Sequence, residues 1–182
     1  MKARNDPDLI ERLKRSDRKA FEQLVHEYQD RVYNLCRYML KDAEEAQDAA
    51  QDVFIKAYRK LVALEPDASF LYAWLYRIAV NTCLDYNKRS YPKPLEDETF
   101  VENVASPDPS PEHLYQSKET GGLIHAALAK LPQKLRAAIV LKEIEALSYE
   151  EIAETLDTSI GTVKSRISRA REELRRYLRK DF

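Results

Sequence analysis

Residues 148–172, SYEEIAETLDTSIGTVKSRISRARE, set short hydroxyl side chains among basic ones, a mixture suited to reading a polyanion rather than breaking a bond. Residues 164–180 carry 8 basic and 2 acidic side chains, a local phosphate-binding footprint that the net charge of −1 conceals. Ser148 and Glu151 have capping-box spacing. Ile152, Ala153 and Leu156 then turn inward, and the small Ala153 lets a following helix come close. Asp157-Thr158-Ser159 forms a compact corner, with Thr158 the candidate cap of the next helix. There, Ile160, Val163, Ile167, Ala170, Leu174 and Leu178 make the buried stripe. With Val163 at zero on a wheel of about 100° per residue, Lys164 falls near ~100°, Ser168 ~140°, Ser165 ~200° and Arg169 ~240°. These four face outward toward base edges and phosphates in a major groove, while Arg166 and Arg171 flank them for phosphates. Most charge runs are solvated, salt-bridged helix ends. Here the imbalance of charge and the layout of capped helix, corner and helix favour DNA. A helix–turn–helix serves repressors, activators and polymerase subunits alike.

Two further groups of residues carry chemistry. DAEEAQDAAQD, residues 42–52, contains no basic residue and sets Asp48, Gln51 and Asp52 on adjacent turns. The helix dipole accounts for Asp42 and Glu44 but less well for Asp48 and Asp52, which lie beyond the first turn. A polar docking face for a basic partner accounts for them better; a carboxylate metal site lacks the accompanying Glu-x-x-His pairs. In FLYAWLYRIAVNTCLDYNKR, residues 70–89, aromatics, an amide and bases share one helix: Tyr72, Trp74, Tyr76, Arg77, Asn81, Lys88 and Arg89. Such a helix can stack and steer single-stranded nucleic acid. Trp74 reads as core; Asn81 and the terminal bases do not.

Bond-making chemistry has no visible source. There is no nucleophile–base set, phosphate loop or metal cluster, and His26, His113 and His125 are scattered singly. The expectation is a protein that is not an enzyme and has no catalytic residues, metal or cofactor. Cys36 and Cys83 each sit in an apolar-periodic segment and read as buried thiols in a reduced cytosol. The longest apolar run, Phe70 to Tyr76, is 7 residues, far short of a membrane span, and MKARNDPDLIERLKR is no signal peptide. The expected location is cytoplasmic, with no membrane insertion.

The elements that must position these residues are all helical. The chain has 44% apolar and 34% charged residues and only 3 glycines among its 182, too few for a chain of hairpins. Helices are expected at 7–15, from Ser16 or Asp17 to Met39, from Asp42 to about Leu64, and from Phe70 to Lys88, a small bundle. Pro66 enforces a break. The third carries Ala46, Ala49, Ala50, Val53, Phe54, Ala57, Tyr58 and Leu61 as its stripe. Residues 91–117 hold 5 of the 8 prolines and 6 acids, and read as an extended, acidic, mobile linker. Beyond it come a helix with Leu123, Ile124, Ala127, Leu128 and Leu131, stopped by Pro132, then one with Leu135, Ala138, Ile139, Leu141 and Ile144. The fold class is all-α, two small helical domains at 1–90 and 118–182 joined by the acidic, proline-containing linker 91–117.

In this order, DAEEAQDAAQDVFIKAYRKL, WLYRIAVNTCLDY and LPQKLRAAIVLKEIEALSYEEIAETLDTSIGTVKSRISRAREEL resemble the group IV, extracytoplasmic-function (ECF) sigma factors of the sigma-70 family. The resemblance covers nearly the whole chain. It implies that the first domain is sigma region 2 and the second sigma region 4. It assigns Asp48, Gln51, Asp52 and Phe54 to docking on the β′ clamp helices of core RNA polymerase. Loop 65–70, with Asp67, Ser69 and Phe70, together with Tyr76, Arg77, Asn81, Lys88 and Arg89, would recognise the minus-10 element and capture a flipped base. Lys142, Thr162, Lys164, Ser165, Arg166, Ser168 and Arg169 would contact the minus-35 element. The implied partners are core polymerase through its clamp helices and β flap, promoter DNA, and an anti-sigma factor; the linker would run toward the RNA exit path. Glu65-Pro66-Asp67-Ala68-Ser69 stands where many members carry a basic residue and a glycine, so the resemblance carries the loop's role and not a minus-10 sequence. The implied function is promoter-specific initiation on core polymerase. The alternatives are a stand-alone repressor or activator, for which residues 1–117 offer neither a dimer interface nor an effector pocket, and a helical adaptor with a basic tail.

Overall fold

A computed structural model describes residues 7–61, 71–90 and 117–178. Every regular element among them is a helix: α1 (Pro7–Lys14), α2 (Arg18–Met39), α3 (Ala43–Lys60), α4 (Leu71–Ser90), α5 (Ser117–Ala129), α6 (Gln133–Glu143), α7 (Tyr149–Thr155) and α8 (Ile160–Leu178). Local chemistry sets the ends. Pro7 opens α1, where its missing N–H costs nothing. Asp17 caps α2 by accepting from Lys19 N at 2.8 Å, and Asp42 caps α3 by accepting from Glu44 N at 2.7 Å and Glu45 N at 3.0 Å. The third α-helix runs to Lys60, with the Leu61 N–H turning back to Tyr58 O; the expected end near Leu64 lies outside the described residues. Of the expected linker, Ser117 opens α5 and residues 91–116 lie outside the described part, as do residues 62–70.

Helices α2, α3 and α4 pack against one another with α1 across α2; α5, α6 and α7 pack around α8. Small residues Ala46, Ala49, Ala50 and Ala57 line the buried side of α3, which lets its neighbours approach closely. In α4, Leu71, Tyr72, Ala73, Leu75, Tyr76, Ile78, Ala79, Val80 and Cys83 are all buried, nearly all round the axis. A helix apolar on every side needs cover on every side, and α7 supplies it on the face that α2 and α3 leave open. Cys36 and Cys83 are both buried, and the Cys36 thiol faces Cys83, whose pKa that contact and burial push up.

The two bundles meet through specific polar contacts. Arg136 of α6 donates to Met39 O (2.8 Å) at the end of α2, and to Ala129 O (2.6 Å) and Leu131 O (3.0 Å) after α5. It therefore closes orphan carbonyls at two helix C-termini, where positive charge is favoured. His125 Nε2 lies 2.6 Å from Arg37 O, 3.2 Å from Leu40 O and 2.6 Å from Arg37 Nη1. Burial first, then the charges of Arg37 and Arg136, hold its pKa below the ordinary value, against those hydrogen bonds.

Candidate nucleic-acid interface

The corner before α8 is built by two caps. Ser148 Oγ accepts from Glu151 N at 3.1 Å, and the Glu151 carboxylate accepts from Ser148 N at 2.6 Å, the full capping box. At the start of α8 the cap is Ser159, whose Oγ accepts from Thr162 N at 3.1 Å; the expected cap, Thr158, is displaced by one residue. The displacement follows from Asp157, which takes φ 48° and spends that residue on reversing the chain.

On α8, Val163, Ile167 and Ala170 are buried, and Lys164, Ser165, Ser168 and Arg169 are exposed on the other side. The expected stripe is longer than the buried one. Ile160 is 39% and Leu178 37% exposed, because the stripe outruns the helices beneath it at both ends. Thr162 is half-buried and joined to Ser159 through their hydroxyls at 2.9 Å; Ser165 Oγ donates to Thr162 O at 2.9 Å and so keeps only its acceptor lone pairs free. Arg166 is half-buried. Arg171 is engaged by Glu143, Nε at 3.2 Å and Nη2 at 2.6 Å. Lys142 Nζ donates to Leu147 O at 3.0 Å and stands 4.8 Å from the centroid of the Tyr149 ring, which Lys164 Nζ approaches at 5.8 Å.

Helix α4 splits its expected DNA-facing residues. Arg77, Asn81 and Lys88 are exposed and fall within about 40° of one another on the helix. Arg89 is exposed near them and lies over the Tyr86 ring at 5.8 Å. Tyr76 is not among them. It is 1% exposed, and its hydroxyl donates to the Glu145 carboxylate of the second bundle, with Arg31 beside the pair. Burial and that carboxylate push the Tyr76 hydroxyl's pKa up. Tyr72 is likewise buried and donates to Glu151, while Arg77 donates to Glu154 O. Asp67, Ser69 and Phe70 lie outside the described residues.

On α3, Asp48 and Gln51 are exposed, whereas Asp52 is half-buried and accepts from Tyr86 Oη at 3.0 Å. Burial and Asp52 push the Tyr86 hydroxyl's pKa up to about 12. Phe54 is half-buried against the core. The sequence reading placed Tyr58 in the buried stripe; it is 52% exposed, its ring edge-on to Phe21 at 5.0 Å, and Ile55 beside it is 49% exposed. Asp48, Gln51, Ile55 and Tyr58 recur at spacings of three and four, one continuous half-apolar stripe that this spacing could have revealed. The second bundle carries another such surface. Leu123, Ile124 and Ile144, expected inside, are 47%, 43% and 40% exposed. Ile124 and Ile144 edge an open apolar groove of ≈ 130 Å³ with Leu128, Ile139, Leu174 and Leu178.

No group of three or more potential metal ligands occurs among the described residues, and no described helix is long and apolar enough to cross a membrane. The sigma-70 region 2 family model matches residues 24–91, and the sigma-70 region 4 model residues 122–174. The RNA polymerase sigma-H factor of Pseudomonas aeruginosa is 41% identical over 181 residues, covering 95% of this chain and 93% of the relative. The ECF RNA polymerase sigma-E factor of Escherichia coli is 42% identical over 178 residues, covering 93% and 92%. Among solved structures, CnrH in complex with the cytosolic domain of CnrY superposes with TM-score 0.74 at 26% identity, covering 97% of this chain and 99% of that one. The sigma factor RpoE of Bartonella quintana, in complex with the anti-sigma factor NepR, superposes with TM-score 0.65 at 29% identity, covering 90% and 99%. Two regional matches in order and relatives similar along nearly the full length make this chain a member of the sigma-70 family, among its ECF sigma factors.

Proposed function

We propose that the protein is an alternative sigma factor, working in the cytoplasm, that binds core RNA polymerase and directs it to specific promoters. An anti-sigma factor holds it inactive until a stress or envelope signal. The chain itself supplies recognition and strand capture; the bond-making belongs to the polymerase. The observation that carries this reading is the exposed face of α8, where Lys164, Ser165, Ser168 and Arg169 stand opposite the buried Val163, Ile167 and Ala170. That face fits the minus-35 element in a major groove, with Thr162, Arg166 and Lys142 flanking it on the backbone.

In the same reading, residues 1–90 form the polymerase-docking and minus-10 unit, 118–182 the minus-35 unit, and 91–117 the link between them. Asp48, Gln51 and Asp52 meet the β′ clamp helices, with Ile55 and Tyr58 adding the apolar part of that contact and Phe54 supporting it from beneath. Arg77, Asn81, Lys88 and Arg89 face the minus-10 strand with Asp67, Ser69 and Phe70. The apolar groove edged by Ile124 and Ile144 suits a helix of the β flap. Tyr76 joins the strand only after the bundles part, since Glu145 covers it in the arrangement described here.

Run-off transcription with purified core bacterial RNA polymerase and fragmented genomic DNA tests the proposal. Stable association with core and discrete new start sites are expected. Tight duplex binding by the chain alone, with no association with core, would replace it with a stand-alone repressor.

A further inference from the structure

Lys142 lies in the last turn of α6 and Lys164 in the second turn of α8, and neither lysine hydrogen-bonds to the other's helix. Both ammonium groups nevertheless converge on one ring, that of Tyr149, at 4.8 and 5.8 Å from its centroid. These distances lie within the range at which a cation is drawn to an aromatic face. Tyr149 is itself fixed as the first residue of α7 by the Ser148–Glu151 capping box and packs against the core. Its hydroxyl side approaches Arg171, which Glu143 already holds.

We propose that Tyr149 is a positioning residue of the minus-35 interface: its ring gathers Lys142 and Lys164, from two different helices, into one phosphate-binding pair. The inference rests on the DNA-binding reading of α8. Two ammonium groups repel each other, and each lysine loses rotamer freedom when it settles on a phosphate. A carboxylate between them would cure both problems, but it would neutralise the charge and have to be displaced by DNA. An aromatic face attracts the cations and leaves their charge available. Neither lysine has a carboxylate partner among the described residues: Lys142 has Leu147 O and the ring, and Lys164 the ring alone.

The alternative is that Tyr149 only fills space beside the core, with the lysine stems draped over it. The two differ in salt dependence and in what can replace the ring. The experiment uses the full chain with core RNA polymerase on a promoter fragment chosen with the wild type, measuring dissociation constants across a salt series. Tyr149→Leu keeps an apolar side chain without a π face, and Tyr149→Phe keeps the face without the hydroxyl. Tyr149→Leu is expected to weaken binding about 5- to 30-fold at fixed salt, the value of two such contacts. It should also flatten the slope of log affinity against log salt by about 1–2, as each lost phosphate contact requires. Tyr149→Phe should restore most of both. Added to Lys142→Ala/Lys164→Ala, Tyr149→Leu should cost little more. Wild-type affinity and slope in Tyr149→Leu, or an undiminished loss in the triple variant, would overturn the proposal. Absence of promoter binding by the unsubstituted holoenzyme would overturn the DNA-binding reading and this one together, and is recognisable because no variant is needed to see it.

Discussion

Gly161, in the first turn of α8, has no reason inside the chain to be glycine. No glycine among the described residues takes a positive φ, and a Cβ at Gly161 would meet only Ser159 Oγ at 3.8 Å, ordinary contact. Within a helix, glycine costs up to about 1 kcal/mol relative to alanine. In the proposed function an external neighbour, the promoter backbone, would account for it. The start of a groove-entering helix is where a phosphate can come closest to backbone N–H groups, and a missing Cβ clears its path. Gly161→Ala should therefore raise stability by about 0.4–1 kcal/mol in denaturant unfolding while lowering the holoenzyme's promoter affinity. Greater stability with unchanged affinity would show that this glycine makes no room for DNA. In the proposed function the neighbouring residues would add selectivity. Ser165 has spent its donor on Thr162 O, so it can only accept from a base, whereas Lys164 and Arg169 can only donate.

The element that decides polymerase binding in the proposed function is α3, and its two acidic positions are not equivalent. Asp48 is exposed, but Asp52 ties α3 to α4 through Tyr86. Replacing Asp52 would therefore disturb α4 as well as any docking surface. Asp48→Ala with Ile55→Ala is the cleaner test, because both side chains are exposed and substitutions there leave stability within about 0.5 kcal/mol. Core polymerase affinity should fall at least about tenfold, the loss of one to two well-placed interface contacts. Unchanged affinity would move the docking surface off this face. Much of α3 was legible in advance: its start near Asp42, the alanine stripe and the acidic first turns are local chemistry at fixed spacing. Tyr58 was harder, because an apolar period gives the direction of a side chain but not whether anything lies there to cover it. The same reason explains Leu123, Ile124, Ile144 and Leu178, which follow the period of their helices and still reach open surface. The part played by Arg136 is invisible at fixed spacing, because one of the two helix ends that its guanidinium serves, at Met39, lies far away along the chain.

The approach of the two bundles was the part least visible in the sequence, since its pairs are far apart along the chain. Tyr76 and Glu145 are separated by 69 residues, Tyr72 and Glu151 by 79. One clue was present: α4 is apolar nearly all round, and α2 and α3 cannot cover every face of it. The consequence is physical. The second bundle presents the carboxylates of Glu145 and Glu151 and the carbonyl of Glu154 to Tyr76, Tyr72 and Arg77, much as a nucleic-acid strand would offer acceptors to the same groups. Glu145 is the member to remove, being 6% exposed and set against both Tyr76 and Arg31. Glu145→Ala leaves the buried Tyr76 hydroxyl without its acceptor, which costs about 1–3 kcal/mol unless the bundles separate and water replaces it. Separation is the expected response. Solution scattering should give a larger radius of gyration than the wild type, and the free chain should bind a single-stranded oligonucleotide about 5- to 150-fold more tightly, the same free energy expressed as an equilibrium constant. A wild-type radius together with wild-type strand affinity would mean that the apolar contacts of α4 with α7 hold the bundles closed without this carboxylate.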